Sequence, residues 1–319
     1  MKLVVLERNS VGTDVDVSCF ERFGEVEYYP NTVAENTAER VKDADIVIAN
    51  KAPMNESTLK DASDVKLICL FATGFDNVDL DYCKSRGIKV ANVVNYSTAA
   101  VVQHTLMLAL ALEEKLAFYD DYVKSDTYAN QDRFSNFDRP FGEFEGKTWG
   151  IVGMGNIGRG VARVAQALGC KVIFYSASGN STCTEYERVE LDTLLAQSDI
   201  LSLHCPLSDR TRGLINKEAF AKMKRSAILV NVARGPVVDT QALYEALTEG
   251  QIAAAGLDVL EKEPISKDNP LGKIKDSTKL IITPHMAWAS TEARERLVSE
   301  VSKNIEAFLG GEDRNIVNK

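Results

Sequence analysis

Short, continuously apolar runs punctuate the first 95 residues: KLVVL from Lys2, DIVIAN from Asp45, KLICLF from Lys66 and KVANVV from Lys89. Between them lie helical patterns such as ENTAERVKDA and NVDLDYCKSRG. Runs of this kind alternating with amphipathic helices predict a parallel sheet covered on both faces. A second alternating series begins at WGIVGMG and continues through KVIFY, DILSLH, AILVNV, IAAAGLDV and KLIITP. The pattern therefore predicts two α/β units, each a doubly wound parallel sheet. VVQHTLMLALALEEKL, from Val101, reads as a buried helix between the two series. STEARERLVSEVSKNIEAFLGG reads as one long amphipathic helix with a Ser cap and glycines beyond its end.

The segment from about Tyr119 to Lys147 has weak periodicity and is rich in charge and aromatics. Irregular stretches of that length are uncommon in compact domains. It is expected to be either an arm that packs on a partner subunit or a linker between domains. A chain of 319 residues has ample material for two domains. A net charge of −9 argues against nonspecific binding of nucleic acid or an acidic membrane surface, and small anionic substrates remain open. The six cysteines are scattered without a C-x-x-C pair, so reduced thiols and no metal site are expected. The apolar start of MKLVVLERNS is only about four residues, against roughly 7 to 15 in a secretory signal, which makes it a first strand. The helix from Val101 ends in charge before the roughly 18 apolar residues of a membrane span. The expectation is a cytoplasmic protein without membrane contact.

GIVGMGNIGRGVARVAQALG places Gly153-x-Gly155-x-x-Gly158 between an apolar strand and a helix. That context suits a dinucleotide: Gly153 permits the tight turn, Gly155 lets the backbone approach a pyrophosphate, and Gly158 lets helix and strand pack closely. The motif alone also suits a flavin enzyme or a methyltransferase. Such folds usually end the next strand in Asp or Glu, which holds the adenosine ribose. Here KVIFYSASGN puts Ser176 at that position.

The chain has three histidines. His104 falls in the apolar helix and reads as a packed or capping residue, and His204 ends a strand. His285 follows the strand KLIITP, at the carboxyl end where α/β sheets place their ligands. Two other strand ends of the same half carry polar groups: Arg234 in NVARGPVVD, and Glu261 with Glu263 in LDVLEKEP after Asp258. Each taken singly suits a salt bridge closing a strand end. Together they make an active site, with Arg for a carboxylate, Glu to orient a His and raise its proton affinity, and His to exchange a proton.

With these pieces in place the sequence resembles the D-isomer-specific 2-hydroxyacid dehydrogenases over nearly its whole length. The likeness is carried by ATGFDNVDL (72–80), NYSTAAVVQHT (95–105), GIVGMGNIG (150–158), HCPL (204–207), NVARGPVVD (231–239), GLDVLEKEP (256–264) and TPHMAWAS (283–290). It implies a Rossmann dinucleotide-binding domain, residues 98–287, inserted into a smaller flavodoxin-like substrate domain, residues 1–97 and 288–319, with a cleft that closes on substrate. It implies a catalytic triad of Arg234, Glu263 and His285. It also implies cofactor contacts at Gly153, Gly155, Asn156, Ile157, Gly158, Ser176, Cys205 and Pro206, with Ala233 and Asp258 at the nicotinamide carboxamide end. Substrate carboxylate would meet the backbone N–H groups of Thr73 and Gly74, besides Arg234. Lys51 is expected either to face the cleft or to be a solvated loop residue.

The resemblance implies reduction of a small 2-keto acid by a reduced nicotinamide, with His285 as proton donor, Arg234 as carboxylate clamp, no metal, and a homodimer. ATGFDN with PHMAWAS is most similar to the glycerate dehydrogenase and hydroxypyruvate reductase group, which favours hydroxypyruvate or glyoxylate. A D-lactate or D-3-phosphoglycerate-type dehydrogenase is the alternative. An NAD(H)-sensing corepressor-like binding protein is the alternative of another class. Ser176 repels no 2′-phosphate, yet ASGNSTCTEYER offers no cation before Arg188. NAD is therefore the expected cofactor, with weak discrimination and NADP also accepted.

Overall fold

The computed structural model describes residues 1–319, which form two compact units, Met1–Ser97 with Trp288–Lys319 and Thr98–Ala287. Each has its own sheet and its own apolar core.

The first unit holds five parallel strands: β1 Lys2–Val5, β2 Glu25–Tyr28, β3 Ile46–Ala49, β4 Leu67–Leu70 and β5 Lys89–Ala91. Their order is β2-β1-β3-β4-β5, the flavodoxin-like arrangement. Every residue of β3 and β4 is buried, as a sheet covered on both faces demands. β2 is absent from the expected strands. Its EVEY pattern is half exposed at the sheet edge, where charged side chains replace an apolar run. The helix Thr291–Leu309 starts on Ser290, whose side chain accepts from the Ala293 N–H. Tyr96 and Trp288, at the two points where the chain passes between units, pack edge to face with centroids 6.2 Å apart.

The second unit contains seven parallel strands: β6 Thr148–Val152, β7 Lys171–Tyr175, β8 Glu187–Arg188, β9 Ile200–Leu203, β10 Ile228–Asn231, β11 Ala254–Leu257 and β12 Leu280–Ile282. The order β12-β11-β10-β9-β6-β7-β8 reverses direction at β6, where the chain winds first to one side and then to the other. The Ala- and Leu-rich helix Thr98–Glu113 buries Leu108, Ala109 and Leu112. The segment beyond it is more ordered than its weak periodicity predicts, since Leu116–Lys124 is a helix. A Phe118–Tyr122 stack and an Asp120–Lys124 ion pair of 2.6 Å, both at i,i+4 spacing, support that helix locally. No helix is long and apolar enough to cross a membrane.

Candidate active site

Three adjacent strand ends build the site. β10, β11 and β12 are neighbours in register, so the loops that leave them lie side by side at the carboxyl edge. Arg234 follows β10, Glu263 lies in the loop after β11, and His285 follows β12.

The Arg234 turn is set by Asn231, whose side chain accepts from the Ala233 N–H (3.0 Å) and donates to the Arg234 carbonyl (3.0 Å). Gly235 then presses against the next loop. A Cβ there would lie 1.9 Å from the Leu260 carbonyl carbon, so only glycine lets the Arg234 turn meet the Leu260–Glu263 loop. Within that loop, one Glu263 oxygen accepts the Leu260 N–H at 2.8 Å, while the other meets His285 Nδ1 at 2.6 Å. The carboxylate is thus fixed at both oxygens, and it fixes the imidazole. The bond at Nδ1 sets the orientation of the ring. The pair is about one-third exposed (30% and 35%), open enough for a small substrate.

His285 has φ +54°, a left-handed backbone uncommon outside glycine. Two groups hold it there, with its N–H donating to the carbonyls of Asp258 (2.9 Å) and Thr283 (3.0 Å). The Asp258 side chain secures the same loop. One oxygen accepts from Thr283 Oγ1 (2.6 Å) and the Met286 N–H (2.9 Å), and the other from the Ala287 N–H (2.8 Å). Because the Thr283 hydroxyl donates to Asp258, its lone pair is left for His104 Nε2–H at 2.9 Å. Burial pushes the His104 ring below its ordinary pKa, against the opposing charge of Asp258. His104 thus begins a half-buried chain, His104–Thr283–Asp258, that ends on the buried carboxylate holding the His285 loop. Its partner lies 179 residues away, and nothing local in the helix sequence signals that contact.

The glycine loop behaves as its spacing requires. Gly153 has φ +94°, and a Cβ on Gly158 would lie 2.2 Å from the Gly153 carbonyl oxygen, which brings helix Asn156–Ala167 close to β6. By contrast, a Cβ on Gly155 would meet nothing within 4 Å. The helix begins at Asn156 and Ile157 with no side-chain cap and no acid in its first turn, a terminus suited to an anion. Gly153, Gly155, Ser176, Cys205 and Pro206 line one cavity of about 510 Å³. His204 also lines it, with Nδ1 buried and unpartnered. Burial drives this ring down to about 3 and the Cys205 thiol up to about 11, so both are neutral near pH 7. Open space at Gly155, an uncapped helix start and a cavity of this size fit a dinucleotide. Arg210 lines the same cavity, and the sequence around KVIFYSASGN gives no hint of it.

In the first unit, Glu7 is a residue that sequence reasoning missed. Its carboxylate, only 9% exposed, accepts the N–H groups of Asn50, Lys51 and Ala52 at 2.7, 2.9 and 3.1 Å. The loop carrying Lys51 is thereby seated at the end of β3, with the Lys51 side chain exposed. Thr73 Oγ1 donates to the Val93 carbonyl (2.6 Å), and Asn92 Nδ2 donates to the Thr73 carbonyl (2.7 Å), which fixes the turn before Gly74. No cluster of three His, Cys, Asp or Glu residues could hold a metal ion.

A doubly wound dinucleotide unit with His, Glu and Arg on adjacent strand ends defines a nicotinamide oxidoreductase. Residues 106–287 match the family model described as D-isomer specific 2-hydroxyacid dehydrogenase, NAD binding domain, and the chain belongs to that family. It is 41% identical to the hydroxypyruvate reductase of Blautia hydrogenotrophica over the full length of both chains. Identity to the glycerate dehydrogenase of Methylorubrum extorquens is 40%, covering 99% of this chain and 98% of that one. Among solved structures, D-lactate dehydrogenase from Aquifex aeolicus, complexed with NAD and lactic acid, superposes with a TM-score of 0.86 at 30% identity. That match covers 100% of this chain and 99% of that one.

Proposed function

We propose that this dehydrogenase reduces a small 2-keto acid, hydroxypyruvate or glyoxylate in the first instance, to the D-2-hydroxy acid or glycolate. The observation that carries the reading is the Glu263–His285 pair beside the Gly235-seated Arg234 turn. Full-length likeness to hydroxypyruvate reductase and glycerate dehydrogenase supports the substrate choice. Arg234 binds the substrate carboxylate through its planar fork and polarises the keto oxygen. His285 Nε2 gives that oxygen its proton, with Glu263 holding the ring in place. The bound nicotinamide supplies the hydride that reduces the keto carbon. Ala233 and Asp258 are assigned to the carboxamide end. The three hydrogen bonds Asp258 already accepts make it also the positioning residue for the His285 loop. Thr73, Gly74 and Lys51 are assigned to substrate binding from the first unit. The test is steady-state oxidation of NADH and NADPH with hydroxypyruvate, glyoxylate, pyruvate and 3-phosphohydroxypyruvate. Hydroxypyruvate or glyoxylate should give the highest kcat/KM. A pyruvate or phosphorylated optimum would transfer the protein to the lactate or phosphoglycerate type, and tight dinucleotide binding without any turnover would make it a sensor.

The same reading extends to assembly and location. Leu116, Val123, Phe134, Phe137 and Phe141 are exposed within one stretch, Phe134 at 90%. Apolar side chains concentrated in this way suit a protein interface, and we assign it to a second copy of the chain. Sedimentation should give a dimer, and a monomer at micromolar concentration would contradict the assignment. Six cysteines without a disulfide suit a reducing compartment, the cytoplasm. Recovery from an extracytoplasmic fraction would count against that location.

A further inference from the structure

The end of β7 has no carboxylate to exclude a ribose 2′-phosphate, and the fold brings a cation to the place where the local sequence has none. The cavity against Ser176 is lined by small polar residues, with no Asp or Glu among them, and Arg210 is its one permanently charged side chain. Arg210 is 32 residues from Ser178 along the chain, yet its Nη1 lies 3.3 Å from the Ser178 carbonyl. The turn that carries it is anchored, because buried Thr211 donates from Oγ1 to the Pro206 carbonyl (2.7 Å) and accepts the Ser208 N–H (2.8 Å). A second guanidinium reaches the same turn, with Arg188 Nη1 on the Gly179 carbonyl at 2.9 Å. The nearest acids along the strand are otherwise engaged, Glu185 by Arg159 (3.5 Å) and Glu187 by Lys171 (3.1 Å). The Ser176 and Ser178 hydroxyls lie 3.4 Å apart at the base of the turn, and each can give a hydrogen bond to a phosphate oxygen. One guanidinium and two hydroxyls on the cavity wall, with no carboxylate beside them and a second guanidinium bracing the turn, make a site for a phosphate dianion, whereas a bare ribose 2′-hydroxyl would leave the positive charge uncompensated.

We propose that Arg210, with Ser176 and Ser178, binds the 2′-phosphate of NADP(H), so that this chain takes the phosphorylated dinucleotide at least as tightly as NAD(H). The inference rests on the dehydrogenase reading and deepens it. Calorimetry tests it without turnover, through dissociation constants for NADPH, NADH, 2′-phospho-ADP-ribose and ADP-ribose. In the unsubstituted protein each phosphorylated ligand should bind at least as tightly as its counterpart. Arg210→Gln should lower the phosphorylated-to-unphosphorylated affinity ratio about 10- to 100-fold, the range for a hydrogen-bonded charge. Arg210→Lys, which keeps the charge and loses the fork, should fall between the two. Binding of NADH and ADP-ribose with tenfold or stronger rejection of the phosphorylated pair, or an unchanged ratio in Arg210→Gln, overturns the Arg210 site and leaves the dehydrogenase reading standing. Binding of none of the four ligands overturns both.

Discussion

His285→Asn should lower kcat for the keto acid by about 10²- to 10⁴-fold, the range a positioned general acid contributes. Asparagine is the informative replacement because the backbone there is left-handed, at φ +54°, and Asn tolerates that region better than most residues. The loop should keep its shape, since the bonds that seat it come from the 285 N–H and from Asp258, not from the imidazole. An amide offers no proton-exchanging nitrogen, so the loss should fall on kcat, with dinucleotide affinity nearly unchanged by calorimetry. Turnover within a few-fold of the unsubstituted enzyme, at equal dinucleotide affinity, would remove His285 from the reaction and with it the assigned role of Glu263.

The distribution of burial explains which parts of this architecture could be read from the amino-acid order. β3, β4, β9, β10 and β11 are buried along their whole length; β3 and β4 are unbroken apolar runs in the sequence, and the other three carry no polar side chain apart from Ser202 and Asn231. β2 and the two-residue β8 are exposed or half exposed and carry Glu and Arg, so their hydropathy resembles that of the loops around them. Helix Leu116–Lys124 has no buried residue, and side-chain pairs at i,i+4 spacing hold it in place of an apolar face.

The candidate site divides in the same way. Arg234, Glu263 and His285 stand out because a charged or titratable group at the end of a buried strand is conspicuous in the sequence. What joins them is tertiary. The Gly235 contact with Leu260, the Asp258 bonds to the loop after β12, the His104–Thr283 bond and the approach of Arg210 to Ser178 all link segments that are far apart in the chain. Glu7 was invisible for a related reason. A single acid after a first strand is unremarkable, and its three backbone partners become apparent only when β1 and β3 lie side by side.

Arg234→Gln should reduce kcat/KM for the keto acid by about 10²- to 10³-fold, comparable to removing a donor from a preorganised anion site. The guanidinium is asked to do two things, and the kinetics should separate them. Clamping the carboxylate acts equally on ground and transition states and appears as a raised KM, whereas polarising the keto oxygen acts as charge develops and appears as a lowered kcat. Glutamine should preserve the fold, because Asn231 and the Gly235 contact hold the turn through main-chain atoms. Arg234→Lys should recover only part of the loss, since an ammonium cannot offer two parallel N–H groups. A substrate in which a carboxamide replaces the carboxylate gives the sharper measurement. The unsubstituted enzyme should lose most of its kcat/KM on that change, and Arg234→Gln should lose little more, because the two alterations remove the same contact from opposite sides. Independent, multiplying losses would place the carboxylate on another group, with Thr73 and Gly74 the next residues to test.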